Sequence, residues 1–310
     1  MTSRVAALDC GSNSTRLLIA DERGKSLLRT MRITRLSEGV DTAGTLTSVA
    51  MKRCFAVLNE FRELMDEAGI TSGLLVATSA VRDASNGNEF LAEAQRITGV
   101  TTSILSGDQE AAFSYAGATN GLGATDVVPM IVDIGGGSTE LAVRLGTTLS
   151  SVSMQLGCVR VTERTLGRGV VGEPSRSNTI AMIESELDRA FARVPIFAEL
   201  VGNVQLIGLA GTVATLAQLQ SGLVHYERDA VHHQRLTRQT VQHWRDVLGA
   251  EPPEVRLSRP GMVAGREDVL VAGLYILDAI MGRFGVNELL TSEDDILDGI
   301  ITSLLATRSL

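Results

Sequence analysis

Two short segments of the chain end an apolar strand with an aspartate and follow it at once with glycine and hydroxyl residues: Asp9-Cys-Gly-Ser-Asn-Ser14 and Asp133-Ile-Gly-Gly-Gly-Ser138. Asp9, Gly11, Ser14, Thr15 and Leu17 recur as Asp133, Gly135, Ser138, Thr139 and Leu141, each 124 positions further on. So constant a spacing points to internal duplication. Backbone N–H groups of such a loop can converge on an oxyanion, and glycine lets the backbone approach it closely. With a carboxylate at the strand end, the chemistry suggested is that of phosphate with a metal ion. A single glycine-rich hairpin is common punctuation, but two matched copies with matched aspartates are not.

A third element fits the same chemistry. Val204 to Leu209 reads as an apolar strand, Ala210-Gly211-Thr212 as a turn, and Val213 to Leu219 as a helix. A helix start offers unpaired N–H groups and the positive end of the dipole to an anion. Read from these residues alone, Gly-Thr is equally ordinary N-terminal punctuation.

The elements that must position these residues alternate in type. Val5 to Ala20 and Pro129 to Leu145 read as hairpins around the two loops. Met51 to Ala68 carries apolar residues at Cys54, Leu58, Phe61, Leu64, Met65 and Ala68, the spacing of an amphipathic helix. Leu74 to Thr78 reads as a strand, Asn86 to Thr98 as a helix and Val100 to Leu105 as a strand. Asp108 to Gly117 is a helix opened by Ser106-Gly107. A break near Gly121 to Thr125 marks the expected boundary, giving domains at 1–122 and 123–310. Ala250 to Gly261, with three prolines, reads as an irregular connection before a helix from Arg266 to Phe284. A last helix over Asp294 to Ala306 closes the chain, the segment 294–310 being free to pack back on the first domain.

Composition narrows the class. The 310 residues carry 44% hydrophobic content and 31 glycines against 6 prolines, as expected of a two-domain α/β protein rich in strand-to-helix turns. The formal net charge of -8 disfavours broad binding to nucleic acid or anionic lipid, so a polyanionic substrate has to be met locally. Cys10, Cys54 and Cys158 lack disulfide-framework or zinc spacing and read as buried thiols of a reducing, cytoplasmic compartment. No export signal or membrane insertion is expected. His232-His233 beside Asp229 lacks ligand spacing. Arg160, Arg164 and Arg168 would share a face if helical, either as a track for a polyanion or as a solvated basic surface.

Taken together, eight motifs in order resemble the exopolyphosphatase and guanosine pentaphosphate phosphohydrolase family over nearly the whole chain. They are Asp9 to Ser14, Ala77-Thr-Ser-Ala-Val-Arg82, Ser106-Gly-Asp-Gln-Glu-Ala111, Asp133 to Glu140, Leu156-Gly-Cys-Val-Arg160, Gly208-Leu-Ala-Gly-Thr212, Arg266-Glu-Asp268 and Ile296-Leu-Asp-Gly299. Gln109 and Glu267 depart from the family's more frequent Glu and Ala. The chain also stops where longer relatives continue, which makes it similar to the short two-domain form. The resemblance implies two domains of duplicated actin-like, ribonuclease H-like fold with the active site in the interdomain cleft.

The resemblance further implies the chemistry. Glu110, otherwise an ordinary helix-start glutamate, matches the catalytic glutamate that orients and deprotonates water. Asp133 and Glu140, with Asp9 contributing, match the carboxylates that hold Mg2+, with Mn2+ as the alternative. Ser12, Asn13, Ser14, Gly135, Gly136, Gly137 and Ser138 would cradle the terminal phosphate, and Arg82 would add a fork of donors. Gly211 and Thr212 would be a second phosphate contact. The expected partner is inorganic polyphosphate, or else a phosphorylated guanosine nucleotide, and a homodimer is a family-level expectation. An actin-like ATPase or sugar kinase, or a non-catalytic sensor of polyphosphate or alarmone, are the readings from other classes.

Overall fold

Asp9 and Asp133 are each the last residue but one of an interior strand, one in a five-stranded and one in a six-stranded sheet. A computed structural model describes residues 4–123 and 127–308. Of the expected boundary at Gly121 to Thr125, Ala124 and Thr125 lie outside the described residues. The chain divides into two compact units: the described residues through Gly117 with those from Asp295 on, and Ala118–Asp294.

The first unit is built on strands β1 (Val5–Cys10), β2 (Ser14–Ala20), β3 (Ser26–Ile33), β4 (Gly73–Ala77) and β5 (Thr101–Ile104). They run in the order β3-β2-β1-β4-β5. β2 is antiparallel to β1 and to β3, whereas β4 is parallel to β1 and β5 to β4. Successive side chains of a strand face opposite sides. Ala6, Leu8 and Cys10 pack with Cys54, Leu58, Phe61 and Met65 of the helix Ser48–Glu67. Val5 and Ala7 pack with Ile296, Leu297, Ile300 and Ile301 of the C-terminal helix Ile296–Arg308. Asp9 shares the parity of Val5 and Ala7, which sends its carboxylate to the C-terminal helix side.

The second unit repeats the plan with β6 (Val128–Ile134), β7 (Thr139–Leu145), β8 (Thr148–Met154) and β9 (Val204–Leu209), and with β10 (Arg235–Thr237) and β11 (Glu288–Thr291). The order β10-β11-β9-β6-β7-β8 contains, read from the other end, the same succession as the first sheet with one added antiparallel edge strand. The repeat extends to register. Asp9 stands opposite Arg16 and Cys10 opposite Thr15, while Asp133 stands opposite Glu140 and Ile134 opposite Thr139. Two mixed sheets with one strand order and one loop position are the duplicated, two-domain actin-like fold expected from the sequence.

Several elements differ from the sequence expectation. The helix expected from Met51 begins at Ser48, because the Thr47 hydroxyl accepts from the Ala50 N–H at 3.2 Å and sets an N-cap. The helix expected from Arg266 begins at Leu270, since Arg266 to Val269 form turns instead. The proline-bearing connection holds a short helix, Pro253–Leu257. Arg160, Arg164 and Arg168 do not share one helical face: Cys158–Val161 is α-helical, Thr162–Leu166 widens to a π-helix, and Gly167 at φ 77° ends it. Among the described residues, no helix is long and apolar enough to cross a membrane.

Candidate active site

In each unit the loops at the carboxyl ends of parallel strands carry the polar residues, the edge at which open α/β sheets bind ligands. The two loops are built by the same turn. The Gly11 N–H donates to the Ser14 carbonyl at 3.0 Å, and the Gly135 N–H to the Ser138 carbonyl at 3.0 Å.

Around the second loop, three carbonyls are committed to one segment. Cys158 N–H donates to Gly135 O at 2.9 Å, Val159 and Arg160 N–H to Gly136 O at 2.9 and 3.1 Å, and Arg160 Nε to Gly137 O at 2.7 Å. With its carbonyls held on that side, the loop is arranged to present N–H groups on the other, as an anion cradle requires. Gly157 makes the approach possible: a Cβ there would lie 2.2 Å from Gly136 O. Arg160, read from the sequence as part of either a polyanion track or a solvated basic face, is instead bonded to the loop. Arg168 is paired with Glu163 and Asp268.

Asp133 and Glu140 face each other directly across β6 and β7, so their side chains lie on one face of the sheet. Both are buried, at 7% and 1% exposure, and Glu140 Oε1 accepts from Ser153 Oγ at 2.6 Å. Two buried carboxylates side by side suit a hard divalent cation. Among the described residues no group of three or more His, Cys, Asp or Glu side chains forms a closed metal cluster. An ion held by this pair would have to take its remaining ligands from water and substrate oxygens.

The first loop is the charge-inverted counterpart. Opposite Asp9, where the second copy has Glu140, stands Arg16, whose Nε and Nη2 bind Asp9 Oδ2 at 3.0 and 2.6 Å. Burial pushes the Asp9 carboxyl up from its ordinary value, with the Arg16 charge opposing. The loop carbonyls are again committed: Ser12 O accepts from Ser37 N–H, and Asn13 O from Thr34 and Arg35 N–H. Ser12 Oγ meets Ser79 Oγ at 2.8 Å. Asp9 Oδ1, both ends of the Asn13 carboxamide and Ser37 Oγ are buried without a partner among the described residues. Buried polar atoms are otherwise almost always paired, so these atoms could take partners from a ligand.

Glu110 is placed by a reciprocal capping box. Ser106 N–H donates to Gln109 Oε1 at 2.9 Å and Gln109 N–H to Ser106 Oγ at 3.2 Å, which fixes the first turn of the helix Gly107–Thr119. Gln109 thereby does what a glutamate does at that position. Arg82 joins this turn to the β4 loop, its Nη1 donating to Leu105 O at 2.8 Å and to Glu110 Oε2 at 3.1 Å. Ser12, Arg82 and Glu110 are therefore brought together by the neighbouring ends of β1, β4 and β5.

Sequence reasoning gave one residue here no task of its own. Arg266 is 8% exposed, and its guanidinium carbon lies 1.8 Å from where a Cβ of Gly211 would be, so this arginine is seated on the Ala210-Gly211-Thr212 turn. Ala210 takes φ 63°, a strained conformation for a residue with a Cβ, at the helix start where an anion site was expected. The signal available in the sequence was the Arg266-Glu-Asp268 motif, which does not say what the arginine touches.

Comparison with known proteins adds the following. The model of a family described as the Ppx/GppA phosphatase family matches residues 18–308. Exopolyphosphatase 2 of Mycobacterium tuberculosis (strain H37Rv) is 34% identical over 318 residues, covering 97% of this chain and 98% of that protein. A bifunctional 3-dehydroquinate synthase/phosphatase of Fusobacterium nucleatum is 28% identical over 96% of this chain, which corresponds to 46% of its own length. The crystal structure of an exopolyphosphatase-like protein aligns with a TM-score of 0.91 at 31% identity, over 99% of this chain and 100% of that one. A Ppx/GppA family member from Aquifex aeolicus aligns with a TM-score of 0.81 at 28% identity, over 100% of both chains.

Proposed function

The chain belongs to the Ppx/GppA phosphatase family, and from that premise we propose that it is an exopolyphosphatase, releasing terminal phosphate from linear inorganic polyphosphate by attack of water. The observation that carries this reading is the second loop, where a cradle with committed carbonyls adjoins the carboxylate pair Asp133 and Glu140. Phosphoanhydride hydrolysis needs those two things next to each other.

Each residue then has a task. The N–H groups of Gly136, Gly137 and Ser138 bind phosphoryl oxygens; in the first unit the N–H groups of Ser12 and Asn13 and the Asn13 carboxamide offer phosphate contacts of the same kind. Glu110 orients the attacking water and takes its proton on a carboxylate oxygen, a role worth ~10²- to 10⁴-fold in rate. Arg82 holds that carboxylate in place and offers its remaining donors to the phosphate. Gly211 and Thr212, with Arg266, receive the phosphate that leaves. Asp133 and Glu140 would hold Mg2+ or Mn2+, which when bound neutralises phosphoryl oxygens and offsets charge on the leaving group.

Phosphate release from medium-chain polyphosphate and from guanosine pentaphosphate, with and without Mg2+, tests the reading in wild type and in Glu110→Gln. Metal-dependent release from polyphosphate that is lost in the variant supports it. Preference for guanosine pentaphosphate would reassign the leaving group, and ATP turnover far faster than both, or no release from any, would refute it.

A further inference from the structure

The C-terminal helix meets the two catalytic elements of the first unit at one residue. Asp295 is 7% exposed and caps that helix, its Oδ1 accepting from Leu297 N–H at 2.9 Å. The same carboxylate reaches outward: Oδ2 accepts from Arg16 Nη1 at 2.5 Å, and Oδ1 lies 3.4 Å from Arg29 Nη1. Arg16 in turn holds Asp9, at the head of the phosphate loop. The Asp295 carbonyl oxygen meanwhile abuts the helix of Glu110, 1.9 Å from where a Cβ of Gly117 would be.

The contact between these helices is backbone on backbone. One turn before Gly117, the Phe113 carbonyl oxygen lies 2.0 Å from where a Cβ of Gly299 would be. With two glycines at the crossing, no side chain can flex to absorb a shift, so the height of the Glu110 helix is set by carbonyl oxygens of fixed position. Phe113 follows Glu110 by three residues, one helical turn. Strand end and helix are therefore both referred to a single residue, the first of this unit after the chain returns from the other.

We infer that Asp295 is a positioning residue, fixing the Asp9 loop through Arg16 and the Glu110 helix through Gly117 to one common mount. Asp9 is on this view the anchor of its loop, its charge answered by an arginine where the second copy offers a second carboxylate to a cation. The inference rests on the proposed activity for its kinetic test but not for its structural one.

Asp295→Asn keeps the volume and the N-cap acceptor and removes the charge that holds Arg16. The expected result is a fall in kcat of roughly 10- to 100-fold, the scale of a sub-ångström misplacement, with KM near wild type and a lower melting temperature, because Arg16 and Arg29 lose a buried partner. Hydrogen exchange should quicken at residues 11–14, the segment held through the carboxylate, and stay as in wild type at 107–113; Gly117→Ala, whose added methyl meets the Asp295 carbonyl oxygen, should quicken it at 107–113. Asp298→Asn is the comparison. Asp298 caps the same helix, its carboxylate taken up by Arg29 and by the Asp295 N–H at 2.8 Å; kcat of that variant should stay within about twofold. Equal effects of the Asp295→Asn and Asp298→Asn substitutions on kcat, unchanged exchange at residues 11–14 in Asp295→Asn, or unchanged exchange at 107–113 in Gly117→Ala, would overturn the inference. If wild type releases no phosphate from any substrate, the functional reading fails while the exchange comparison still decides the positioning role.

Discussion

Replacing Gly157 by alanine tests the phosphate loop directly. The added methyl would lie 2.2 Å from the Gly136 carbonyl oxygen, 2.3 Å from its carbon and 2.4 Å from the Gly137 nitrogen. All three are backbone atoms, so no rotamer change relieves the contact. Reaching ordinary van der Waals distance moves the loop by about 1 Å, an overpacking that costs about 1–3 kcal/mol. The displacement strains the bonds from Cys158, Val159 and Arg160 that hold the loop carbonyls, since those donors follow Gly157 directly in the chain. At roughly 2–4 °C per kcal/mol for a unit of this size, the melting temperature should drop by roughly 3–10 °C. Misplacing the cradle by about 1 Å should lower kcat/KM for phosphate release about 100-fold. Mn2+ binding, followed by electron paramagnetic resonance, should persist, because Asp133 and Glu140 stand on strands rather than on the loop. A Gly157→Ala protein with wild-type melting and kcat/KM within threefold of wild type would refute the cradle.

Two further predictions concern stability. Arg256 is 1% exposed and donates to four carbonyls, of Leu248 at 2.7 Å, Gly169 at 2.6 Å, Glu267 at 3.0 Å and Arg168 at 3.2 Å. Arg256→Met should therefore cost about 3–5 kcal/mol in a denaturant titration, by stranding these acceptors, whereas Arg259→Met, at the half-buried pair with Glu251, should cost less than about 1 kcal/mol. Burial, with the charge of stacked His233, lowers the His232 pKa from its ordinary value of 6.5, against the opposing pull of Asp294 and Asp229. The unfolded chain thus binds this proton more tightly, so the stability is present above about pH 6.5 and is lost as pH falls through the folded value. Melting scans from pH 8 to pH 5 should show that loss in wild type and a flatter profile in His232→Asn.

The internal duplication, the alternation of strands and helices and the loop at the end of each central strand were legible in the chain, because turn chemistry and strand pattern are local properties. The start of the Glu110 helix was legible for the same reason, with Ser106 and Gln109 three residues apart. The helix Glu173–Arg193 had a weaker local signal: its buried residues are Thr179, Ile183, Leu187 and Ala190, a narrow stripe on a polar helix. β3 and β8 are half-exposed third strands without a clean alternation.

Only the tertiary structure decided what each charged residue touches. Arg16 and Glu140 occupy the same place in the duplicated hairpin, yet one neutralises an aspartate and the other pairs with one. Arg160 donates to a loop carbonyl rather than standing on a shared basic face, and Arg266 settled on a glycine 55 positions earlier in the chain. Asp295 reaches Arg16 across a separation of 279 residues. The sequence by itself determined which residues could do phosphate chemistry, since that follows from side-chain type and backbone freedom. The fold decided what each of them touches, because an ion pair or a backbone contact between distant segments leaves no trace in local spacing.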